Sequence, residues 1–426
     1  MPQKSAHIPQ FLKKLAAWLP GDVKVMAAFS FSGVIGSLIG IVAGPLILQK
    51  VGLAQFGFLG LALFVHSLFN TIADFGIPAH LISVSSRPEG RQPGEIGNAF
   101  ALKLALLGGV GVLFLGYLLG YPHPREAKAL VGAYLSALVF SASHIEWFYI
   151  SGRRYRELIL GRLLAAGSMA VLIAWWYFFG RGLWFIPVGT ALAQFAELAY
   201  LGGRIVAKQG WPHWEPISWP RMGAILLKVA PMAGTQILSP FFLASGIFLM
   251  QKNLAPAEWV GAYNVSQRII IGWLALTGPL ILFLIPKLAG RSGRARPGRM
   301  LGLSAALSAC FLAAGMVLIG IFYLVSGNHG DFLRFSLETY AILMLGIFLN
   351  LARLQAVSMM IVHGLYGRYF LIHLLGGLPN IALAFVPGLG VPLAAVPWLA
   401  CLPELIVTVL VLALPGSKAR VGPREE

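Results

Sequence analysis

Long apolar blocks dominate the hydropathy pattern of this chain, and amphipathic spacing is rare. Many blocks run for 18 or more residues, which is the length that a helix needs to cross a bilayer. Strands of a membrane barrel are shorter and alternate between apolar and polar positions, so the pattern predicts α-helices. We predict about twelve transmembrane helices, over residues 25–49, 55–78, 98–121, 127–150, 160–179, 184–206, 226–249, 259–285, 300–324, 338–361, 368–387 and 391–414.

The composition supports an all-α, polytopic membrane protein. The chain has 426 residues, of which 58% are hydrophobic and only 11% charged, whereas soluble domains carry roughly 25% charged residues. Its two cysteines, Cys310 and Cys401, fall inside predicted spans, where cysteine behaves as a small apolar residue. A disulfide framework is therefore not expected.

Basic residues are distributed unequally between the two sides of the predicted membrane. The side that holds the N-terminus has 23 of the 32 lysines and arginines, the other side has six, and three lie within spans. This asymmetry follows the positive-inside rule, so we predict that both termini are cytoplasmic. The net charge of +17 is then a signal of topology, and nucleic acid is not an expected partner.

The longest connection divides the spans into two sets of six. It covers residues 207–225 and is rich in Trp and Pro, as expected for a linker at the membrane surface. We predict five segments: a cytoplasmic N-terminal segment (1–24), a first six-helix lobe (25–206), a cytoplasmic interfacial linker (207–225), a second six-helix lobe (226–414) and a cytoplasmic tail (415–426).

The two predicted lobes share short sequence echoes. Because each lobe has an even number of spans, both begin in the cytoplasm, and the repeats should be related by an axis along the membrane normal. Paired bundles of this kind form a central cavity that can open to either side. The echoes are Phe56-Gly57 with Val260-Gly261, 204 residues apart, and Gly152 and Arg156 with Gly364 and Arg368, 212 residues apart.

Three cations lie within predicted spans, where a charge costs roughly 2.5–3.5 kcal/mol at the helix centre. Arg268 is near mid-membrane, one turn after Asn264 on the same helical face. We interpret it as a cavity cation that meets an anionic substrate group such as a diphosphate. The alternative is a structural pair with Glu197 or Glu404. Arg353 and Lys103 are candidates for the same cavity, and the alternative for each is snorkelling to the membrane surface.

Four carboxylates are candidates for coupling transport to an ion gradient. Glu404 and Glu197 lie near mid-membrane, and Asp74 and Glu146 lie near the cytoplasmic ends of their spans. A buried carboxylate can bind a proton or another cation. The alternative is a salt bridge to one of the arginines.

Sequence signs of catalysis are missing. We find no catalytic constellation and no Gly-Lys-Ser/Thr loop that would bind nucleotide phosphates. His66, His144, His363 and His373 show no metal-binding spacing, and we assign them polar or packing roles. We therefore predict no enzyme activity, no cofactor and no metal.

Several segments resemble the polysaccharide transporter family, the Wzx-type O-antigen flippases of the multidrug/oligosaccharidyl-lipid/polysaccharide (MOP) exporter superfamily. They are the Gly52 and Phe56-Gly57 joint, Ala73-Asp74-Phe75-Gly76, Glu146-Trp147-Phe148 with Gly152, and Val260 through Arg268. The resemblance implies two six-helix lobes around a central cavity in the bacterial cytoplasmic (inner) membrane. It also implies flipping of an undecaprenyl-diphosphate-linked oligosaccharide for O-antigen, capsule or exopolysaccharide synthesis.

The resemblance implies three kinds of partner: the lipid-linked oligosaccharide, membrane lipids and other polysaccharide-assembly membrane proteins. Residues 25–49 carry no charge, unlike the basic first span of lipid II flippases, which argues against peptidoglycan precursor as cargo. One alternative is a proton- or cation-coupled multidrug antiporter of the same superfamily, which would use Glu197 and Glu404. A membrane-embedded polysaccharide polymerase or ligase is the second, although such enzymes resemble chains with a longer outer loop.

Overall fold

Within the residues that it describes, a computed structural model shows twelve α-helices and no strand. It describes residues 21–78, 80–81, 94–120, 125–152, 154–180, 182–209, 216–252, 255–290, 297–327, 330–362, 365–385 and 391–413. The helices are α1 (Gly21–Asp74), α2 (Glu95–Gly120), α3 (Arg125–Ala142), α4 (Glu146–Ser151), α5 (Tyr155–Phe179), α6 (Phe185–Gln209), α7 (Trp219–Lys252), α8 (Ala257–Gly290), α9 (Pro297–Ser326), α10 (Asp331–Val362), α11 (Tyr366–Phe385) and α12 (Val396–Ala413). The prediction of an all-α fold is confirmed.

Seven helical segments of the described chain are long and apolar enough to cross a membrane. They are Ile39–Asp74, Glu95–Gly120, Arg125–Ile150, Tyr155–Phe179, Ser304–Ser326, Asp331–Arg353 and Leu393–Ala413. Large apolar side chains such as Leu119, Phe178 and Leu324 point outward and are exposed. A soluble protein rarely exposes so many large apolar side chains, and a bilayer covers them. The chain is a multi-pass membrane protein.

The first two predicted spans form the single helix α1, which is kinked at Gly52. The backbone there leaves helical geometry, with φ 78° and ψ 167°. Glycine adopts this conformation without the steric cost that a Cβ atom would bring. Gly52 therefore joins two membrane-length segments. The motif Ala73-Asp74-Phe75-Gly76 ends the second one, because Phe75 and Gly76 both have positive φ.

One predicted span, 127–150, is broken in the structure. Helix α3 ends at Ala142, and α4 begins at Glu146 after a non-helical joint. Near the break, the Ser143 hydroxyl donates to the Val139 carbonyl at 2.7 Å. Serine hydroxyls that bond back to the preceding turn bend helices, which gives a local reason for the break. The joint places His144 and Glu146 at an interruption of the helix rather than along its side.

The helix contacts form two groups, a first lobe of α1–α6 and a second lobe of α7–α12. In the first lobe, α1 packs on α3 and α5, and α6 packs on α3 and α5. In the second lobe, α10 packs on α8, α9 and α12, and α11 packs on α7 and α12. The most extensive contact of all joins the lobes, between α1 and α8. The interior of the molecule is therefore organised around this pair of helices.

The contact between α1 and α8 is symmetric in the way that the sequence echoes indicate. A Cβ atom on Gly57 would lie 2.6 Å from the Ala257 carbonyl oxygen, and one on Gly261 would overlap the Leu53 carbonyl. Residues 53 and 57 are each 204 positions before residues 257 and 261. Equivalent residues contact each other reciprocally only where a two-fold axis passes between them. The two repeats therefore meet at their own pseudo-symmetry axis.

A second contact between the lobes lies at the end of the bundle where α1 and α6 end and α2 and α7 begin. We call this end of the bundle the basic end. The contact is an apolar cluster, the basic-end cluster, to which Ile77 and Leu81 after α1 and helices α2, α4 and α7 contribute. Its buried members are Ile77, Leu81, Ala99, Leu102, Trp147, Met222, Ile225 and Val229. The lobes thus touch at the α1–α8 kink and again at the basic end.

The distribution of basic residues predicts the sidedness of this bundle. We expect reporter fusions in the connections at residues 87–95 and 291–299 to report cytoplasm, and fusions at residues 328–331 to report the outer side. The measurement is the activity of paired reporters that are active on only one side of the membrane. An outer-side signal from the 291–299 connection would contradict the twelve-span topology.

Candidate functional site

Arg268 extends from α8 to the first lobe at the contact between the lobes. Its guanidinium carbon lies 4.6 Å from the centroid of the buried Phe56 ring on α1. Two of its nitrogens, Nε and Nη2, are buried and have no hydrogen-bond partner. A guanidinium has five N–H donors, and a buried donor without an acceptor is costly. Arg268 is thus a cation held by a ring face, with donors still available.

Polar groups of the first lobe surround the Arg268 guanidinium. Tyr134 on α3 is close enough to interact with it electrostatically, and the Tyr134 hydroxyl is buried without a hydrogen bond of good geometry. His66 on α1 packs on Tyr134 with ring centroids 5.1 Å apart, and its side chain is also buried. Buried polar atoms are nearly always satisfied in folded proteins. Buried polar groups gathered around a cation with available donors indicate a site for a polar ligand, which we call the interlobe site.

The alternative interpretation of Arg268, a structural pair with a buried carboxylate, is not found among the described residues. Glu404 and Glu197, the carboxylates that could have paired with it, have other neighbours. Asn264, which we predicted beside Arg268 in the cavity, lies within the helix contact instead. Its amide donates to the Phe56 carbonyl at 3.0 Å, and its side chain fills the space left by Gly60. Asn264 therefore joins α8 to α1 and holds the helix turn that carries Arg268.

Arg353 and Glu404 form a buried pair inside the second lobe. Their Nη2 and Oε2 atoms are 2.6 Å apart, and both side chains are almost fully buried. Arg353 also donates to the Glu404 carbonyl and to the Thr408 hydroxyl at 3.2 and 3.3 Å. These contacts correspond to the salt-bridge alternative for Glu404 and to neither interpretation of Arg353. They leave Arg353 neither at the membrane surface nor free to bind a ligand in this conformation.

Lys103 is buried and paired at the basic end of the first lobe. Its Nζ lies 2.8 Å from the Asp74 carboxylate, and a longer contact of 3.5 Å leads to the His144 carbonyl. Only 1% of the Lys103 side chain is exposed, so it does not snorkel as one interpretation of the sequence held. The pair joins α2 to the end of α1 and reaches the joint between α3 and α4.

Glu146, Glu197 and His144 come together in the first lobe. One oxygen of each carboxylate and one ring nitrogen of His144 lie within 4.8 Å of one another. Arg162 on α5 makes a forked contact with Glu146, with Nε–Oε1 at 2.8 Å and Nη2–Oε2 at 2.9 Å. Because the fork already engages both Glu146 oxygens, few oxygen ligands remain for a metal ion. We call the four residues the first-lobe charge cluster.

The sequence identified some of these residues but not their arrangement. His144 was expected to have a polar or packing role. The structure instead turns Arg162 inward onto Glu146 and places His144 beside Glu197. The only sequence signal is the closeness of His144, Glu146 and Arg162 around a predicted helix end. Tyr134 and His66 carried no signal for this site, because each is an ordinary residue within an apolar span, and Phe56 stood out only in the repeat and the family resemblance.

Solved structures with similar folds are transporters. A multidrug resistance MATE family transporter of the MOP superfamily, in an inward-facing conformation, has a TM-score of 0.63 at 15% identity, covering 90% of this chain and 96% of its own. The MATE multidrug transporter DinF-BH has a TM-score of 0.59 at 14% identity, covering 92% and 94%. The eukaryotic MATE transporter AtDTX14 has a TM-score of 0.58 at 14% identity, covering 92% and 95%.

At 14–15% identity these likenesses show the fold: two helical lobes arranged as in MATE-type membrane transporters. No curated protein sequence matches the chain significantly. A family profile does, over residues 23–288. The chain belongs to the polysaccharide biosynthesis protein family.

Proposed function

We propose that this protein is a flippase that moves an undecaprenyl-diphosphate-linked oligosaccharide from the cytoplasmic to the outer leaflet of the bacterial inner membrane. The product would supply synthesis of a surface polysaccharide such as O-antigen, capsule or exopolysaccharide. Membership of the polysaccharide biosynthesis family supports this cargo, and the transporter fold supports translocation rather than catalysis. Both termini would be cytoplasmic, so the basic end would face the leaflet where the cargo is made.

The observation that carries the proposal is the unpaired guanidinium of Arg268 between the lobes. A diphosphate offers several anionic oxygens, and arginine recognises such groups through parallel N–H···O bonds. In a water-poor interior this attraction is far stronger than in bulk solvent. Tyr134 and His66 would add hydrogen bonds on the first-lobe side of the same group. The interlobe site is thus suited to an anionic head group.

The two-lobed fold would meet the different needs of the two ends of this cargo. The saccharide and diphosphate need shielding from hydrocarbon, because burying charge in lipid is prohibitively costly. The isoprenoid tail is apolar and can remain in the bilayer. Opening the lobes first at the basic end and then at the α1–α8 contact would carry the head group across while the tail follows through lipid. Other polysaccharide-assembly proteins of the membrane would take up the product.

The experiment uses purified protein in vesicles that contain a fluorescent undecaprenyl-diphosphate oligosaccharide in both leaflets. We expect the protein to make the inner-leaflet pool accessible to an external reagent or sugar-binding protein, whereas protein-free vesicles should retain it. An undecaprenyl-phosphate saccharide is the matched control cargo, since it has one phosphate fewer. Failure to move any lipid-linked saccharide would reject the proposal.

A multidrug antiporter is the second candidate, and the fold favours it as much as it favours a flippase. Drug antiporters of this kind export organic cations, for which an acidic interlobe site would be expected. Here the group at the lobe contact is a cation, Arg268, and the buried carboxylates of Glu404 and Glu146 pair with arginines inside their own lobes. Uptake of a cationic dye by the same vesicles, with no movement of the lipid-linked saccharide, would favour this candidate. A polymerase or ligase would instead show formation of longer glycan chains.

A further inference from the structure

The first-lobe charge cluster lacks one positive charge. With both carboxylates ionised, Glu146 and Glu197 contribute two negative charges against the single positive charge of Arg162. Arg162 is committed to Glu146 by its fork, and Lys103 is committed to Asp74. These residues and His144 are the described titratable groups around Glu197. Glu197 is therefore left without a cation of its own.

Burial makes this imbalance costly. Only 5% of Glu197 is exposed, and its Oε1 atom has no hydrogen-bond partner. The Nε2 atom of His144 is buried and unpartnered as well. The Glu197 side chain packs on Gly161 of α5, where its Cγ would lie 3.5 Å from an added Cβ atom, so it is held in the cluster. An ionised carboxylate in such a place must gain a partner or a proton.

The cluster is mechanically connected to the contact between the lobes. Glu146 begins the short helix α4, and the next residue, Trp147, belongs to the basic-end cluster with Met222, Ile225 and Val229 of α7. The break between α3 and α4 leaves this turn free to rotate without bending a long helix. A change in how Arg162 divides its bonds between the two carboxylates would therefore move Trp147 against the second lobe.

We propose that Glu146, Glu197 and His144 form a proton-binding site that controls the contact between the lobes at the basic end. With one proton bound between the carboxylates, the cluster with Arg162 is neutral and Arg162 stays on Glu146. When the proton leaves to water, the cluster carries one negative charge, and Arg162 bridges both carboxylates. This shift draws Glu146 and Trp147 toward α6 and loosens the basic-end cluster. The proposal does not depend on the identity of the cargo.

The test uses the full chain in lipid nanodiscs without cargo, titrated with acid and base. Infrared difference spectra follow the C=O stretch of a protonated carboxylic acid. Spin labels at Leu104→Cys on α2 and Leu227→Cys on α7, with Cys310→Ala and Cys401→Ala, report the distance across the basic end. Both starting leucines are exposed. We expect the carboxylic acid signal and the label distance to change together, at a common midpoint.

The decisive variant is Glu197→Gln, which keeps the shape of the side chain and removes its charge. We expect it to lose both transitions completely, and Glu197→Asp to keep them at a shifted midpoint. The matched control is Glu157→Gln on α5, which removes a carboxylate paired with Lys208 outside the cluster and should leave both transitions unchanged. Retention of both transitions in Glu197→Gln, or their absence in the unmodified chain, would overturn the proposal.

A metal ion is the competing occupant, and the same preparation distinguishes it. The titrations are repeated in sodium chloride, in choline chloride and with added manganese. A midpoint that is independent of these salts supports a proton. A change in the label distance on adding sodium or manganese at constant pH, abolished by Glu197→Gln, would assign the site to a metal ion and refute the proton.

Discussion

Replacing Arg268 by alanine should abolish translocation while the protein remains folded and abundant. In the proposed function, its guanidinium binds the diphosphate with two charge-assisted hydrogen bonds in a water-poor site. Hydrogen bonds to charged groups contribute about 1.5–3 kcal/mol each. Losing both bonds should therefore slow flipping by roughly 100- to 10,000-fold, since about 1.4 kcal/mol corresponds to a factor of ten. The measurement is the flipping rate in vesicles, with export in cells as a second readout.

The conservative and control variants sharpen this prediction. Arg268→Lys keeps a positive charge but not the planar fork, so we expect it to retain part of the activity. Arg334→Ala removes an exposed arginine at the start of α10, where it pairs with Glu338 away from the interlobe site, and should leave flipping unchanged. Full activity of Arg268→Ala would show that the cation has a structural role between the lobes.

Breaking the buried pair of Arg353 and Glu404 should give the largest loss of stability. The two side chains are almost fully buried, and removing one partner leaves the other charge uncompensated. Such losses are about 3–5 kcal/mol. We expect losses of this order in the free energy of unfolding for Arg353→Met and for Glu404→Leu. The measurement is unfolding by added SDS in mixed micelles, followed by helix content.

The double variant Arg353→Met with Glu404→Leu distinguishes two roles of Glu404: a partner in a structural ion pair, and a carboxylate that couples transport to a proton gradient. Because it removes both charges and keeps similar volumes, most of the lost stability should return. If the pair is only structural, the double variant should also keep any dependence of transport on a proton gradient. A stable double variant that has lost gradient dependence would return Glu404 to the role of coupling carboxylate. Arg334→Ala with Glu338→Ala, an exposed pair, is the control and should not measurably change stability.

The sequence alone was sufficient for the class of fold. A membrane-spanning helix satisfies its backbone internally and needs about 20 apolar residues, so its signal is local and can be read from one stretch of chain. The sidedness of the basic residues is likewise a property of each connection. Even the joint at Gly52 was visible, because glycine marks such places locally.

Which charged side chains form ion pairs between helices was decided only by the tertiary structure. Lys103 meets Asp74, Arg353 meets Glu404, and Arg162 meets Glu146, and in each case the sequence offered several partners of opposite charge. A charge in a span must be compensated, but the hydropathy of its own helix does not say by which neighbour. The choice depends on helix rotation and depth, which are set by packing against other helices.

The same dependence on helix packing explains why the interlobe site could be predicted only in part from the sequence. The sequence identified Arg268 as a buried cation and predicted the two repeats, which are facts about single residues and about spacing. Only the packed lobes show that Gly57 and Gly261 meet at the symmetry axis and that Phe56 and Tyr134, rather than a carboxylate, lie beside the guanidinium. Whether a buried charge is paired or left available to a ligand depends on atoms from several helices at once, and no single stretch of sequence contains that information.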